Sequence, residues 1–377
     1  MYATDELFSY AVAVRRDLHK HPEIGFDLKR TADVVTRELT SIGFTPTSAY
    51  GKCSVVAEIG QGEELVLVRA DMDALPVNEQ NDLPYKSQIP GKMHACGHDS
   101  HTAILLAVAK YLKAHEHELT RRIRLMFQPA EESSVSGAKM MMDNGVTDGV
   151  TSALCTHCDN TVDVGSLVIC PGDYMAACIP LTVLFFGKAS HATFPQDGVD
   201  AIAMANEAYL QMKAAVKEEA GGLPYIWSVG RFSGGDAHNV IADRCEMNIS
   251  FRYYDTPFSL RAEARVKEIC STVAARYGGS CEIDWHVSTV PVHNDEALSH
   301  AFEDAARAAS LPIHRVPPRM SSEDFGWILS RVPGFIFRFG TKNDALGCIG
   351  PSHKSTFMID EEGMRTAIDA FLSYLLR

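Results

Sequence analysis

Nine positions of this chain, "MHACGHDSH" (93–101), hold three histidines, a cysteine and an aspartate. Thiolate and imidazole are common ligands of zinc and other borderline divalent ions, so Cys96 and His98 are candidate metal ligands. A reactive thiol or a histidine-rich turn would use the same residue types, and a Cys-x-His pair alone does not choose among them. Other stretches carry related chemistry. "FQPAEE" closes an apolar run with Glu131 and Glu132. Adjacent side chains of a strand point to opposite faces, so one carboxylate can bind a metal while the other faces a substrate as general base. "TSALCTH" ends on His157, and "GPSHKSTF" contains His353. "RADMDALP" sets Asp71 and Asp73 after an apolar run, where a carboxylate can orient a ligand or bind a metal.

Other chemistries lack their residues. "HEHEL" is not HExxH, because position 119 is Leu, and no GxSxG, phosphate-binding loop or GxGxxG follows a strand. A net charge of −13 repels phosphate backbones, so nucleic acid is not an expected partner. No Lys/Arg run points to a membrane surface. The most apolar uncharged stretch, "YMAACIPLTVLFF", contains Pro180 and is shorter than the roughly 20 residues a membrane helix needs. The first residues show no signal-peptide pattern. Ten cysteines lack framework spacing, which predicts free thiols and a cytoplasmic location.

These side chains need a scaffold. The 377 residues suffice for one large or two ordinary domains. Residues 5–42 read as helix broken at Pro22, "SVVAEIG", "ELVLVRA" and "RRIRLMFQ" as strands, and "SHTAILLAVAKYLKAH" as an apolar helix starting at Ser100. "TSALCTH" reads as a further short strand. Alternating strands and helices predict an α/β layer structure, a central sheet flanked by helices. From about residue 179 the order becomes β-α-β-β-α-β, a ferredoxin-like unit. The predicted domains are therefore 1–178 with 291–377, and an inserted 179–290.

In order, "RRDLHKHPEIGF", "RADMDALP", "MHACGHDSHTA", "FQPAEE", His157, "GKASHATFPQDGVDA", "GGDAHNVIAD", "SSEDF" and "SHKSTF" resemble the M20 metallopeptidases. The likeness is to the amidohydrolase branch with hippurate hydrolases, N-acyl-amino-acid deacylases and auxin-conjugate hydrolases, and it covers nearly the whole chain. It implies two divalent ions (Zn, Mn, Co or Ni) held by Cys96, His98, Glu132, His157 and His353. It implies Glu131 as general base and Asp73 as the orienting acid, with Asp71 where relatives have a first His ligand. His191 of the inserted lid domain matches the oxyanion donor, often supplied by a partner subunit. Asn239 matches a substrate contact, and Arg252 is a weaker carboxylate-binding candidate. The implied partners are a small N-acyl-amino acid and a second copy of the chain, joined through the inserted domain.

The implied reaction uses metal-activated water to cleave an amide, with Glu131 shuttling the proton to the leaving amine. Gln196, Ser321, Ser352 and Ser355 depart from the branch pattern, so the pocket walls need not match any one relative. Three other readings remain. One is a dipeptidase or other peptide-like amide hydrolase of the same fold. Another is a thiol enzyme using Cys96 with His98. The last is a non-catalytic, metal-containing binding protein.

Overall fold

A computed structural model describes all 377 residues. The chain forms two compact units, Met1–Tyr174 with His293–Pro318 and Asp324–Arg377, and Met175–Val292 with Arg319–Glu323. The 179–290 reading thus omits short flanking pieces and Arg319–Glu323. That segment belongs to the second unit through its backbone: Ala176 N–H donates to Ser321 O at 2.9 Å, and Arg252 Nη1 donates to Met320 O at 2.9 Å.

The first unit opens with α1 (Asp5–Lys20) and α2 (Lys29–Ile42), then β1 (Val55–Ile59), β2 (Leu65–Asp71), α3 (His98–Ala114), β3 (Arg122–Gln128), α4 (Gly137–Asp143), β4 (Ser152–Asp163) and β5 (Leu167–Ile169). The chain continues through β6 (Gly172–Met175). In the second unit come β7 (Ala177–Phe186), β8 (Ser190–His191), α5 (Ala201–Ala220), β9 (Tyr225–Gly234), β10 (Val240–Ile241), β11 (Arg244–Tyr253), α6 (Thr256–Tyr277) and β12 (Ser280–Trp285). After β13 (Val292–Asn294) follow α7 (Glu296–Ala308), β14 (Ile313–Arg315), α8 (Gly326–Leu329), β15 (Gly334–Lys342) and α9 (Glu362–Leu375).

The first unit's sheet runs β1-β3-β2-β4-β15-β5-β14. Its centre is parallel: β3 on β2, β2 on β4 and β4 on β15. β2 is buried along its whole length, as its continuous apolar run requires of a strand covered on both faces. Parallel strands send their carboxyl ends to one edge, where open α/β sheets place their sites. The register brings Asp71 opposite Gln128, the last residue of β3, and Arg69 opposite Cys155, two residues before His157. α3 is buried nearly all round, packed by α1, α2, α9 and β2, which accounts for its lack of a polar face.

The second unit is a four-stranded antiparallel sheet, order β12-β7-β11-β9, with α5 and α6 packed together. This is the strand order of a ferredoxin-like unit. Alternation along β7 and β11 turns Ile179, Leu181, Val183, Phe185, Met247, Ile249 and Phe251 into one apolar core. Asp200 and Asp255 cap the N-termini of α5 and α6. No helix is long and apolar enough to cross a membrane.

Candidate metal centre and active site

The first unit gathers Cys96, His98, Glu131, Glu132, His157 and His353 at the carboxyl edge of its sheet. Ligand atoms of Cys96, His98 and His157 all lie within 4.8 Å of one another, as do those of Cys96, Glu132 and His353, and of His98, Glu131 and Glu132. These overlapping triads share Cys96, His98 and Glu132. Local geometry explains how each arrives. Cys96 and His98 flank Gly97, whose φ of +85° turns the chain into α3. A Cβ there would meet Cys158 Sγ at 2.4 Å, so only glycine fits.

The glutamate pair departs from the strand expectation. β3 ends at Gln128, and Ala130 takes a left-handed φ of +56°, so alternation does not orient Glu131 and Glu132. Asp73 orients them instead. Its Oδ1 accepts the Glu131 N–H at 3.0 Å and its Oδ2 the Glu132 N–H at 3.1 Å. Glu132 Oε1 then lies 3.0 Å from His353 Nε2, and Glu131 Oε2 lies 3.9 Å from His98 Nε2. His353 is itself left-handed (φ +69°), tied by its N–H to Ala95 O at 2.7 Å.

Hydrogen bonding separates ligands from their supports. His157 Nδ1 donates to Cys158 O at 2.7 Å, which leaves an Nε2 lone pair 3.4 Å from Cys96 Sγ. Burial, then His101 and Arg338, holds the His157 pKa well below the ordinary imidazole range, so its ring is neutral. His98 is fully buried, and neither of its ring nitrogens makes a hydrogen bond. Burial opposes its protonation, but Asp71, Asp73 and Glu132 outweigh that and push its pKa up to about 10.

His101 and Asp71 are already committed. His101 Nδ1 donates to Asp71 Oδ1 at 2.7 Å, and its Nε2 accepts the Cys158 N–H at 2.9 Å. Asp71 Oδ2 accepts from Arg69 Nη1 at 2.6 Å. Both Asp71 oxygens are thus engaged beneath the cluster, with Oδ2 also 3.8 Å from His98 Nε2. Arg69 and Asp324 form the hub beneath. Arg69 also donates to Gln128 Oε1 and Asp324 Oδ1, and Asp324 accepts from Gln128, Ser136 Oγ and the Ala138 N–H. The sequence offered one unused signal for this hub: a charged residue inside the apolar run "ELVLVRA".

The donor set fits divalent ions. Sulfur, imidazole nitrogen and carboxylate oxygen converge in one cluster, buried at Cys96, His98 and His157 and exposed at His353, and the His98 ring nitrogens make no hydrogen bond although Asp73 and Asp71 oxygens stand 3.5 and 3.8 Å from them. Thiolate and imidazole donors favour borderline transition ions over calcium or magnesium. Burial, reinforced by Glu132, Cys158, Glu131 and Asp71, pushes the Cys96 thiol well above its ordinary range. The carboxylates around Cys96 disfavour its thiolate, and the thiol-nucleophile reading leaves Glu131, Glu132, His157 and His353 without a role.

The remaining predicted residues lie in the second unit. β8 pairs with β10 so that His191 stands opposite Val240, and the Ala192 N–H donates to Asn239 O at 2.9 Å. His191 and Asn239 are thus neighbours, both exposed. Arg252 is near the far end of β11, half-buried, bonded to Met320 O and Ser250 Oγ. The structure does not bring it to His191 and Asn239.

The model of Peptidase family M20/M25/M40 matches residues 67–377. The chain belongs to this family. This M20-family chain is a metal-dependent amidohydrolase. It is 33% identical to an N-acetyl-L-cysteine deacetylase of Bacillus subtilis over 353 residues, covering 93% of this chain and 83% of that one. It is 32% identical to the IAA-amino acid hydrolase ILR1-like 4 of Arabidopsis thaliana over 367 residues, covering 95% and 83%. Among solved structures, the YXEP protein of Bacillus subtilis, a dinuclear metal-binding peptidase from the M20 family, superposes with a TM-score of 0.85. It is 28% identical and covers 99% of this chain and 98% of its own.

Proposed function

We propose that this M20-family enzyme removes the acyl group from N-acyl-amino acids, with Glu131 as the proton shuttle. The named relatives support the substrate class, and the observation that carries the role of Glu131 is the Asp73 tether. One carboxylate holds the backbone of two successive glutamates, so Glu132 turns to His353 and the ligand cluster while Glu131 stands beside His98. Two divalent ions at Cys96, His98, Glu132, His157 and His353 would supply Lewis acidity and lower the pKa of a reacting water. Glu131 then takes the proton of the attacking water and gives it to the leaving amine. His191, exposed on its β8–β10 ribbon, donates to the carbonyl oxygen as charge develops. Asn239, the neighbour of His191, contacts the substrate, while Arg252, tied to Met320 O and Ser250 Oγ at the other end of β11, is set apart from that pair.

The chain works as a homodimer through its second unit, in the reducing cytoplasm that its ten free thiols suit. β9 is an edge strand of ten residues, and Phe232 on it is exposed, as are Ile202, Leu210 and Val240 in the same unit. A long edge beside apolar side chains is a surface soluble proteins normally cover.

The test is turnover by chelator-stripped protein restored with Zn, Mn, Co or Ni, on parallel panels of N-acyl-amino acids and dipeptides. The expected result is metal-dependent release of amino acid from N-acyl substrates. Glu131→Gln should lower kcat by about 10²–10⁴-fold, the worth of a positioned general base, with metal content unchanged. Faster cleavage of dipeptides would select the dipeptidase reading, and no turnover with any ion would leave a metal-binding protein.

A further inference from the structure

"RRDLHKHPE" (15–23) takes no part in the chemistry above, yet Arg15 and His19 are 2% and 1% exposed. A buried charge needs partners, and theirs lead to two ligand-bearing segments. Asp99 follows His98 in the first turn of α3. Its Oδ2 accepts from Arg15 Nε at 2.9 Å and from His19 Nδ1 at 2.7 Å. Arg15 Nη1 also reaches Glu361 Oε1 at 2.9 Å.

The other ring nitrogen of His19 lies 3.3 Å from Glu79 Oε1, so both nitrogens face carboxylates and His19 stands as an imidazolium. Glu79 is fixed in turn by the Ser87 N–H at 2.7 Å and by Asn81 Nδ2 at 3.2 Å. Asn81 Nδ2 reaches Phe357 O at 3.0 Å, and the Gln80 N–H donates to Ser355 O at 2.8 Å. One unbroken path of buried polar contacts therefore runs from the residue after His98 to the segment just after His353.

That second segment needs holding. His353 keeps a left-handed backbone, a conformation that persists only where the surroundings over-determine it. Its tie to Ala95 O gives one constraint, and the Asn81 and Gln80 bonds four and two residues on give others.

We propose that Arg15, His19, Glu79 and Asn81 are positioning residues, a single brace that holds the Cys96–His98 turn and the His353 loop at the separation a metal site requires. The proposal rests on the reading of Cys96, His98 and His353 as metal ligands. Supporting groups of this kind set metal affinity through ligand placement.

The experiment measures Zn²⁺ and Mn²⁺ affinity of the stripped full-length chain by competition with a chromophoric chelator. It compares wild type, His19→Gln, Asn81→Ala and Leu7→Ala. Leu7 is buried in the core on α1 but lies outside the brace. His19→Gln and Asn81→Ala are each expected to weaken binding by about 10–100-fold. Asn81→Ala strands no buried charge, so it tests the brace even if His19→Gln fails to fold. Leu7→Ala should lower the urea midpoint while leaving affinity within about twofold. Wild-type affinity in folded His19→Gln and Asn81→Ala would overturn the brace while leaving the metal reading intact, and an equal loss in Leu7→Ala would reduce the brace to general stability. Wild type that binds neither ion would overturn the metal reading and the brace with it.

Discussion

Gly97 shows what a ligand turn demands of one residue. A methyl group there would need a left-handed backbone, costing about 1–2 kcal/mol, and would strike Cys158 Sγ. Gly97→Ala is therefore expected to destabilise the protein by more than the backbone cost alone. Adding Cys158→Ala removes the clash and should recover all but that roughly 1–2 kcal/mol. Urea unfolding of both variants checks this, and an equal loss in the two would show that the Cys158 contact is not what excludes a side chain. At this scale the sequence was informative where residue type and chemistry coincide. Cys96, His98, Glu131, Glu132, His157 and His353 are the side chains the first unit gathers. It was uninformative where the role depends on who the neighbour is. Nothing in the spelling of Asp71 says that Arg69 and His101 occupy both its oxygens. Nor does "QPAEE" announce that Ala130 breaks the strand and that Asp73, far back in the chain, aims the two glutamates.

Secondary-structure elements were legible to the extent that hydropathy marks them. The apolar runs became β2, β3 and α3, but two boundaries moved for physical reasons. α3 starts at His98, ahead of the expected Ser100, because the left-handed Gly97 opens it. β4 runs from Ser152 to Asp163, beyond "TSALCTH", because β15 pairs along nearly all of it. Among the elements β2 carries the heaviest electrostatic duty, since Arg69 is buried with carboxylates of Asp71 and Asp324. Burial opposes ionisation of Asp71, but Arg69, then His98 and His101, outweigh it and hold its pKa well below the carboxylate range. A depressed folded pKa gives stability that is present above the unfolded value, about 3.9, and lost as pH falls through the folded one. Arg69→Met should therefore cost about 3–5 kcal/mol at neutral pH, because two buried carboxylates lose their cation. The gap from wild type should narrow below about pH 4, as protonation removes that repulsion. Urea unfolding of stripped protein at pH 7 and pH 3.5 measures both, and a pH-independent gap would show that Arg69 acts by packing alone.

The whole molecule divides into units with independent cores, one gathering the candidate metal ligands and the other carrying the exposed His191 and Asn239 on its β8–β10 ribbon. The exposure of His191 is what the proposed role of meeting a substrate or a second subunit requires. If the second unit joins two chains and His191 serves the partner's site, the defects of two inactive variants become complementary. Glu131→Gln and His191→Ala should each be nearly inactive as homodimers. In a refolded equimolar mixture, half of the dimers are mixed, and each mixed dimer holds one site with an intact Glu131 and an intact His191. Activity should therefore return to about a quarter of wild type, the share set by random pairing across a two-fold interface. No recovery, with mixed dimers shown by light scattering and differential tagging, would place His191 and Glu131 of the same chain in one site. Adding Leu210→Asp and Phe232→Asp to both chains sharpens the result. Two charges on the exposed apolar surface should give monomers that keep their metal but lose the recovery, because the missing group then has no subunit to come from.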